Sequence, residues 1–378
     1  MEKSKAMRQI GSQVVISQLP PPHHGSTVMT QVYLETLSEL DIAWHLVDRR
    51  FSSSVGEIGK FNLGKVVQGF LLLGRLLISQ VQLKPSSYVL FITNRPASFI
   101  VDWVITEIIR MSRRPLINYV HTSGFRDLGS RNRIFRFLVK RALSSATQTV
   151  CLGDTMETDI SWAANGGIIK IPNTPYRLPK LPPTPREEPL TFLFLSNLLP
   201  EKGAEAFITA ALQLAPEYPS ARFVVAGAAP DDETTRFLES KISGSPYAKS
   251  VSLIGGAAEE HKWRLLDSAH ALVFPSTYKF EAQPLTIVEA MSRALPVIAF
   301  DTGGVRDLVT HEHTGILLPS PDVGLLADAM RRLADDSSLR AVLGRQALHF
   351  FETRLSRSAY ANAWKRVLTN PEKQTISL

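Results

Sequence analysis

The sequence predicts an α/β protein made of two domains, each a parallel sheet flanked by helices. Three observations carry this expectation. Both halves of the chain alternate short apolar runs with segments of helical period, the pattern of strands buried on both faces and joined by crossover helices. A proline-rich run separates the halves. A length of 378 residues, with 44% hydrophobic and 20% charged content, supplies two cores and excludes a disordered chain.

In the first half, apolar runs predict strands at Gln13–Ser17, Ala43–Val47, Tyr88–Ile92, Leu116–Val120, Thr147–Cys151 and Ile168–Ile171. In the second half they predict strands at Thr191–Leu195, Arg222–Ala226, Val251–Ile254, Ala271–Phe274, Pro296–Phe300 and Ile316–Leu318. Between them, Pro172, Pro175, Pro179, Pro182, Pro183, Pro185 and Pro189 prevent helix and disfavour a central strand. This run reads as a semi-rigid linker. The predicted division is a first domain over 1–175, a linker over 176–189 and a second domain over 190–355. Lys65–Gln82 reads as a core or lipid-facing helix. Three helical stretches follow Asp322, and the last, Ser356–Leu368, places Tyr360, Trp364 and Val367 on one face.

Charge and cysteine usage narrow the setting. Cys151 is alone, which excludes an intramolecular disulfide and suits a reducing compartment. It reads as a small buried apolar residue. No apolar core of signal-peptide length follows Met1–Arg8. The greasiest stretch, Phe70–Val81, is broken by Arg75 and too short to span a bilayer. These features predict a cytoplasmic protein that is not integral to a membrane. The net charge is +7, but residues 1–189 alone carry 8 Lys and 15 Arg against 14 acidic residues. A basic half favours anionic surfaces, phospholipid or nucleic acid. Arg126, Arg131, Arg133, Arg136, Lys140 and Arg141 surround Phe135, Phe137, Leu138 and Val139, the text of a basic amphipathic helix for a membrane surface. Arg110, Arg113 and Arg114 add a second patch. Nucleic acid is disfavoured as a partner, since no recognition motif or aromatic-basic platform is present.

The chemistry concentrates in Glu281–Ala299, EAQPLTIVEAMSRALPVIA. Glu281 sits in a Gln-Pro loop and Glu289 in a helix running into an apolar strand, with seven residues between them. Carboxylates are strong acceptors for the hydroxyls of a polyol. Upstream, SNLLPEKG (196–203) follows the first strand of the second half. Lys202 and Gly203 precede a helix, where a lysine beside backbone amides and the positive dipole end suits a phosphate. Other chemistries lack their text. There is no Asp-x-Asp, no G-x-G-x-x-G after the first strand, no G-x-S-x-G and no Walker A. No metal is predicted, because nothing completes a ligand set around His23 and His24.

The run SNLLPEKG, FVVAGAAPDDE, VSLIGGAAEE and ALVFPSTYKFEAQPLTIVEAMSRALPVIAFDTGGVRDLV resembles, in order and spacing, the retaining nucleotide-sugar-dependent glycosyltransferases of family four with their E-x7-E signature. The resemblance implies a GT-B fold, two Rossmann-like domains facing each other over a central cleft. It implies that Glu289 holds the donor ribose and that Glu281 faces the donor sugar. The loop of Ala282, Gln283, Pro284 and Leu285 would point its amides at the phosphates. Gly255 and Gly256 would lie where the base is read. Asn197 stands where the family has an arginine, Ala282-Gln283 where it has Gly-Phe, and Asp307 where a glutamate is common. In the first half the likeness is fainter. Gly25 of LPPPHHGST would let backbone approach the diphosphate, with Ser26 in place of a second glycine. His121 with Gly124 fits a His-x-x-Gly that contacts the donor sugar. A closing helix, about 356–370, would pack back on the first domain. The implied activity is metal-independent retaining transfer from a UDP- or GDP-sugar, with Lys202, Glu281 and His121 in catalytic roles. The nucleotide sugar is a co-substrate, and no cofactor is implied. The implied acceptor is a glycan or lipid-linked glycan of a bacterial surface polysaccharide, at the inner face of the plasma membrane. A GT-B sugar-nucleotide epimerase or a phosphorylase-like enzyme is the alternative.

Overall fold

A computed structural model describes residues 11–21, 25–49, 63–180 and 186–369, with backbone alone over 63–67. His23, His24 and the linker residues 181–185 lie outside the described residues. The chain divides into two compact units. One comprises Met1–Tyr176 with Arg357–Leu378, the other Arg177–Ser356.

The first unit runs β1 (Gln13–Ser17), α1 (Gly25–Glu39), β2 (Trp44–Asp48), α2 (Leu63–Leu83), β3 (Ser87–Ile92), α3 (Pro96–Met111) and β4 (Leu116–Val120). It continues with α4 (Phe125–Ser130), α5 (Arg133–Ser144), β5 (Gln148–Cys151), α6 (Asp154–Ile160) and β6 (Gly167–Lys170). Its six strands lie in the order β2-β1-β3-β4-β5-β6, with every pairing parallel. The inner strands β1 and β4 are buried along their whole length, as Val- and Ile-rich runs must be when helices cover both faces. Cys151 is buried at the end of β5.

The second unit runs β7 (Thr191–Leu195), α7 (Ala204–Leu214), β8 (Arg222–Ala226), α8 (Asp232–Ser243), β9 (Val251–Ile254), α9 (Glu259–Ser268) and β10 (Ala271–Phe274). Then come α10 (Leu285–Ser292), β11 (Val297–Phe300), β12 (Gly315–Leu318), α11 (Val323–Asp335) and α12 (Ser337–Phe350). Its sheet is also six-stranded and parallel, in the order β12-β11-β10-β7-β8-β9. Two apolar layers cover its faces, one built on Phe192, Phe194, Phe207 and Phe223, the other on Leu193, Leu272, Ile287 and Val297.

After a π-helical turn at Phe351–Leu355, the chain returns to the first unit as α13 (Arg357–Thr369). Tyr360, Trp364 and Val367 are buried there. Trp364 packs on Tyr33 of α1 and Tyr119 of β4, with ring centroids 4.5 and 4.8 Å apart, and the Tyr119 and Tyr360 hydroxyls are 3.1 Å apart. Outside the apolar contact, Arg357 bonds Glu39 at 2.9 Å.

All twelve expected strands are present, most displaced by no more than one residue. One expectation is corrected: the basic text around 126–141 is not a single helix. Asn132 accepts from Phe135 N and caps α5, leaving Arg126 on α4 and Arg131 between the two. No helix among the described residues is long and apolar enough to cross a membrane.

Candidate functional site

Ligands of open parallel sheets bind at the carboxyl ends of strands where the strand order reverses. In the second unit that point lies between β7 and β10, because the chain leaves β7 toward β8 and later returns to β10 on its other side. The loops that follow these two strands are SNLLPEKG and PSTYKFE, so the topology brings Lys202 and Glu281 to one edge.

The two loops are tied through backbone. Thr277 N donates to the Glu201 carbonyl at 2.7 Å, and Ser276 Oγ lies 3.2 Å from the same oxygen. Gly203 takes φ 84°, and a side chain there would meet the Pro275 carbonyl at 2.1 Å. Only glycine allows both the left-handed turn and the close approach. Lys202 is thereby aimed across the gap, with Nζ 2.5 Å from Glu281 Oε2 and 5.0 Å from the Tyr278 ring centre. Ser276 Oγ is a further neighbour of Glu281 Oε2 at 3.0 Å. Glu281 is buried, so its carboxylate is held by these partners rather than by water.

A third loop closes in behind. After β11, Gly304 N donates to the Glu281 carbonyl at 2.8 Å. A Cβ on Gly303 would stand 2.2 Å from that carbonyl, and one on Gly304 would stand 1.7 Å from the Ala282 carbonyl. The backbone of Glu281 and Ala282 therefore lies close on the two glycines, and the chain enters α10 at Leu285. No side chain caps α10 at its N-terminus, with Pro284 in the capping position. The first-turn N–H groups of a helix in that state suit an anion. Gln283 and Pro284 are buried, while Ala282 and Leu285 are half-buried.

Glu289, in the second turn of α10, is buried and bonded to Lys262 of α9 at 2.6 Å. Lys262 also reaches Glu259 at 3.1 Å. Burial pushes the Glu289 carboxyl above the usual range, and the Lys262 charge opposes this. Lys262 loses charge stabilisation by burial as well, but Glu289 and Glu259 outweigh that and raise its pKa. Asn197 is exposed in the loop after β7. A Cβ on Gly255, after β9, would meet open space.

The first unit holds the remaining expected residues. Gly25 opens α1, and a side chain there would meet nothing within 4 Å, so its own fold does not demand glycine. Gly124 takes φ 112° and does demand it. His121 directly follows β4, stacked on Phe91 at 5.1 Å between ring centres. Burial pushes its imidazole down to about 3, so the ring is neutral near pH 7. Its Nε2 has no hydrogen-bond partner among the described residues. The amides that follow are already occupied: Asp159 accepts from Gly124, Phe125 and Arg126 N at 2.7, 2.8 and 2.9 Å. Beside β3, the buried Arg49–Asp102 pair, 2.7 Å, closes the same edge.

Residues 181–350 match the model of the family described as glycosyl transferases group 1. The matched residues lie within the second unit. Lys202, Lys262, Ser276, Glu281 and Glu289 all fall within the matched residues. Alpha-D-kanosaminyltransferase of Streptomyces kanamyceticus is 30% identical over 44% of this chain and 42% of its own length. A GDP-mannose-dependent alpha-(1-6)-phosphatidylinositol monomannoside mannosyltransferase of Mycobacterium tuberculosis is 29% identical over 41% of this chain and 40% of its own length. The chain thus matches about two fifths of these curated relatives. A solved sucrose-phosphate synthase of Thermosynechococcus elongatus superposes with a TM-score of 0.74 at 17% identity, covering 94% of this chain and 98% of that one. The fold is GT-B.

Lys262, Ser276 and the Gly303-Gly304 pair were not expected from the sequence. Lys262 reads there as one more charge on a polar helix, and only the fold sets it against Glu289. Among the described residues, no three His, Cys, Asp or Glu side chains gather as a metal site.

Proposed function

We propose that this protein is a glycosyltransferase that moves a sugar from a nucleotide-diphosphate sugar to an acceptor hydroxyl, with retention at the anomeric carbon. The observation that carries the reading is the switch-point array, Lys202 against Glu281 beside the uncapped start of α10, with Glu289 behind it. In this reading the donor diphosphate takes Lys202 and the α10 amides, which releases Glu281 to accept from the sugar hydroxyls. Glu289, ionised, accepts from the ribose. The bond from the anomeric carbon to the β-phosphate oxygen breaks, and its electron pair leaves with the nucleoside diphosphate. Lys202 and the amides stabilise that charge as a fixed electrostatic clamp, and no step calls for a metal. The acceptor oxygen bonds to the oxocarbenium-like carbon and its proton passes to the departing diphosphate.

His121 would give the sugar a neutral hydrogen-bonding contact through Nε2, and Gly25 a close backbone approach. Asn197 can donate a hydrogen bond but brings no charge, so the grip on the diphosphate is weaker than an arginine would give. UDP and GDP are the proposed nucleotides. The proposed acceptor is a lipid-linked glycan of bacterial surface polysaccharide synthesis, reached from the cytoplasmic side. A relative named for a phosphatidylinositol mannoside supports a lipid acceptor.

The test is a thermal-shift screen with UDP, GDP, ADP and their sugars, since a ligand of the native state raises Tm by mass action. One nucleotide series is expected to raise Tm in the wild type and not in Lys202→Ala. A flat response to every nucleotide would sink the reading. Product analysis then separates transfer to an acceptor from epimerisation or phosphorolysis.

A further inference from the structure

The strand order of the first sheet, together with right-handed crossovers, puts α2, α3 and α5 on one face and α1 on the other. The three helices adjoin. Gln80 of α2 donates to the Ile108 carbonyl of α3 at 3.5 Å, and Arg141 of α5 bonds Glu107 of α3 at 2.7 Å.

Their outer side is apolar. On α2, Phe70 (71% exposed), Leu71, Leu77, Ile78 and Val81 (75%) form one stripe, for steps of seven, eight and eleven residues return to the same side of a helix. Leu72, Leu76 and Ser79, on the opposite side, are buried. Eleven residues likewise separate Ile100 from Met111 (78% exposed) on α3, and α5 adds Ile134 and Phe137. Single exposed apolar side chains are ordinary, but nine on three adjoining helices mark a surface that meets something apolar.

Cations rim and interleave this side. Residues 63–144 carry 13 Lys and Arg against three acidic residues. Of those three, Asp102 is buried with Arg49, and Glu107 is bonded to Arg110 and Arg141. Arg75, Arg113, Arg114, Arg131, Arg133 and Lys140 are exposed, and no ion pair holds them among the described residues. Phosphates of a nucleic acid would satisfy these cations but would leave the aliphatic side chains in water.

We propose that the outer side of α2, α3 and α5 is a docking face for an anionic phospholipid bilayer. The apolar side chains enter the acyl boundary and the arginines meet head-group phosphates. This deepens the glycosyltransferase reading and rests on it for its purpose, which is to bring the enzyme to a lipid-linked acceptor.

The experiment sediments the full chain with vesicles of phosphatidylcholine, alone or mixed with phosphatidylglycerol. Two variants accompany it, Phe70→Ser/Val81→Ser/Phe137→Ser and Arg113→Glu/Arg133→Glu, with circular dichroism to check their fold. Wild type is expected to pellet with the anionic vesicles, less so at high salt. The apolar variant should partition at least about tenfold less, given the area withdrawn, and the charge variant should lose about tenfold of its anionic preference. Weak and equal pelleting on both vesicles, or variants that pellet like wild type, would overturn the proposal. So would a salt-sensitive shift of duplex DNA without vesicle binding. Nucleotide-induced thermal shifts on the same proteins keep the two readings apart. Variants that stop pelleting but still respond to nucleotide support the face, whereas a wild type that pellets and ignores every nucleotide keeps the face and defeats the transferase.

Discussion

Each unit is built on six parallel strands with covering helices, yet their sheet edges are finished in opposite ways. In the second unit, charged groups at the carboxyl edge are paired between elements, Lys202 with Glu281 across two loops and Lys262 with Glu289 across two helices. In the proposed function each pair exchanges its partner for a ligand group. In the first unit the edge is closed by internal partners, Arg49 with Asp102 and Asp159 on the α4 amides, and among the described residues a neutral histidine is one of its unpaired polar groups, with the Thr122 and Ser123 hydroxyls beside it. The unit proposed to read a nucleotide keeps its charge at the edge. The unit with the basic surplus carries it on an outer helical face. Similar architecture therefore says little about what a sheet edge can bind, and the pairing of its charges says more.

The sharpest way to break this contrast is Lys202→Ala, which removes the exchangeable cation from the second unit. Transfer is expected to fall at least about a hundredfold, the usual cost of losing a fixed electrostatic donor. Steady-state kinetics with saturating acceptor checks it, and an unchanged turnover would mean that the charged edge is not the donor site.

Backbone fit should separate the units next. Gly304→Ala drives a methyl into the Ala282 carbonyl, and a loss of about 2–4 kcal/mol in chemical denaturation is expected. Gly25→Ala, which faces open space at a helix start, should stay within about 0.5 kcal/mol. If both cost the same, the packing of the 281–284 loop on its glycines is misdescribed.

A smaller effect sharpens the electrostatics. In Lys262→Met the Glu289 carboxyl loses the charge that opposes its burial, so its pKa should rise further. Ribose recognition by an ionised carboxylate would then begin to fail at a higher pH than in the wild type. Below that point the affinity should drop about tenfold for every further step of one in pH, as the ionised fraction does. Titration of nucleotide affinity against pH reads this directly.

The last effect belongs to the first unit. His121 in the folded chain resists protonation down to about 3, while the unfolded chain takes a proton in the ordinary histidine range. Between these limits the unfolded state holds more protons, so stability falls as pH falls. The slope from this residue is at most about 1.4 kcal/mol per pH unit. Denaturant titrations across acid pH should show a shallower decline for His121→Gln than for the wild type.

The strands were legible because each is a short Val-, Ile-, Leu- or Phe-rich run between breakers, and burial on both faces leaves little room for anything else. Their order was not legible. Nothing in ALVF at 271–274 says that it lies beside TFLFL at 191–195 rather than beside RFVVA at 222–226. Glu281, Glu289 and Lys202 stood out as candidates because their text surrounds them locally. Lys262 could not, since its partner is contributed by a helix 27 residues away. The apolar run Phe70–Val81 likewise did not reveal which of its side chains face solvent. A helix that is apolar on nearly every side, with Arg75 as its one charge over this run, has no polar face to mark the outside.

The return of α13 to the first unit sets an order of assembly. A ribosome releases the first unit's strands early, but the aromatic wall of Tyr33 and Tyr119 waits for Trp364 until the whole second unit has been made. The half of the protein synthesised first is therefore completed last, and a nascent chain stalled before residue 357 carries an uncovered aromatic surface of the kind chaperones bind.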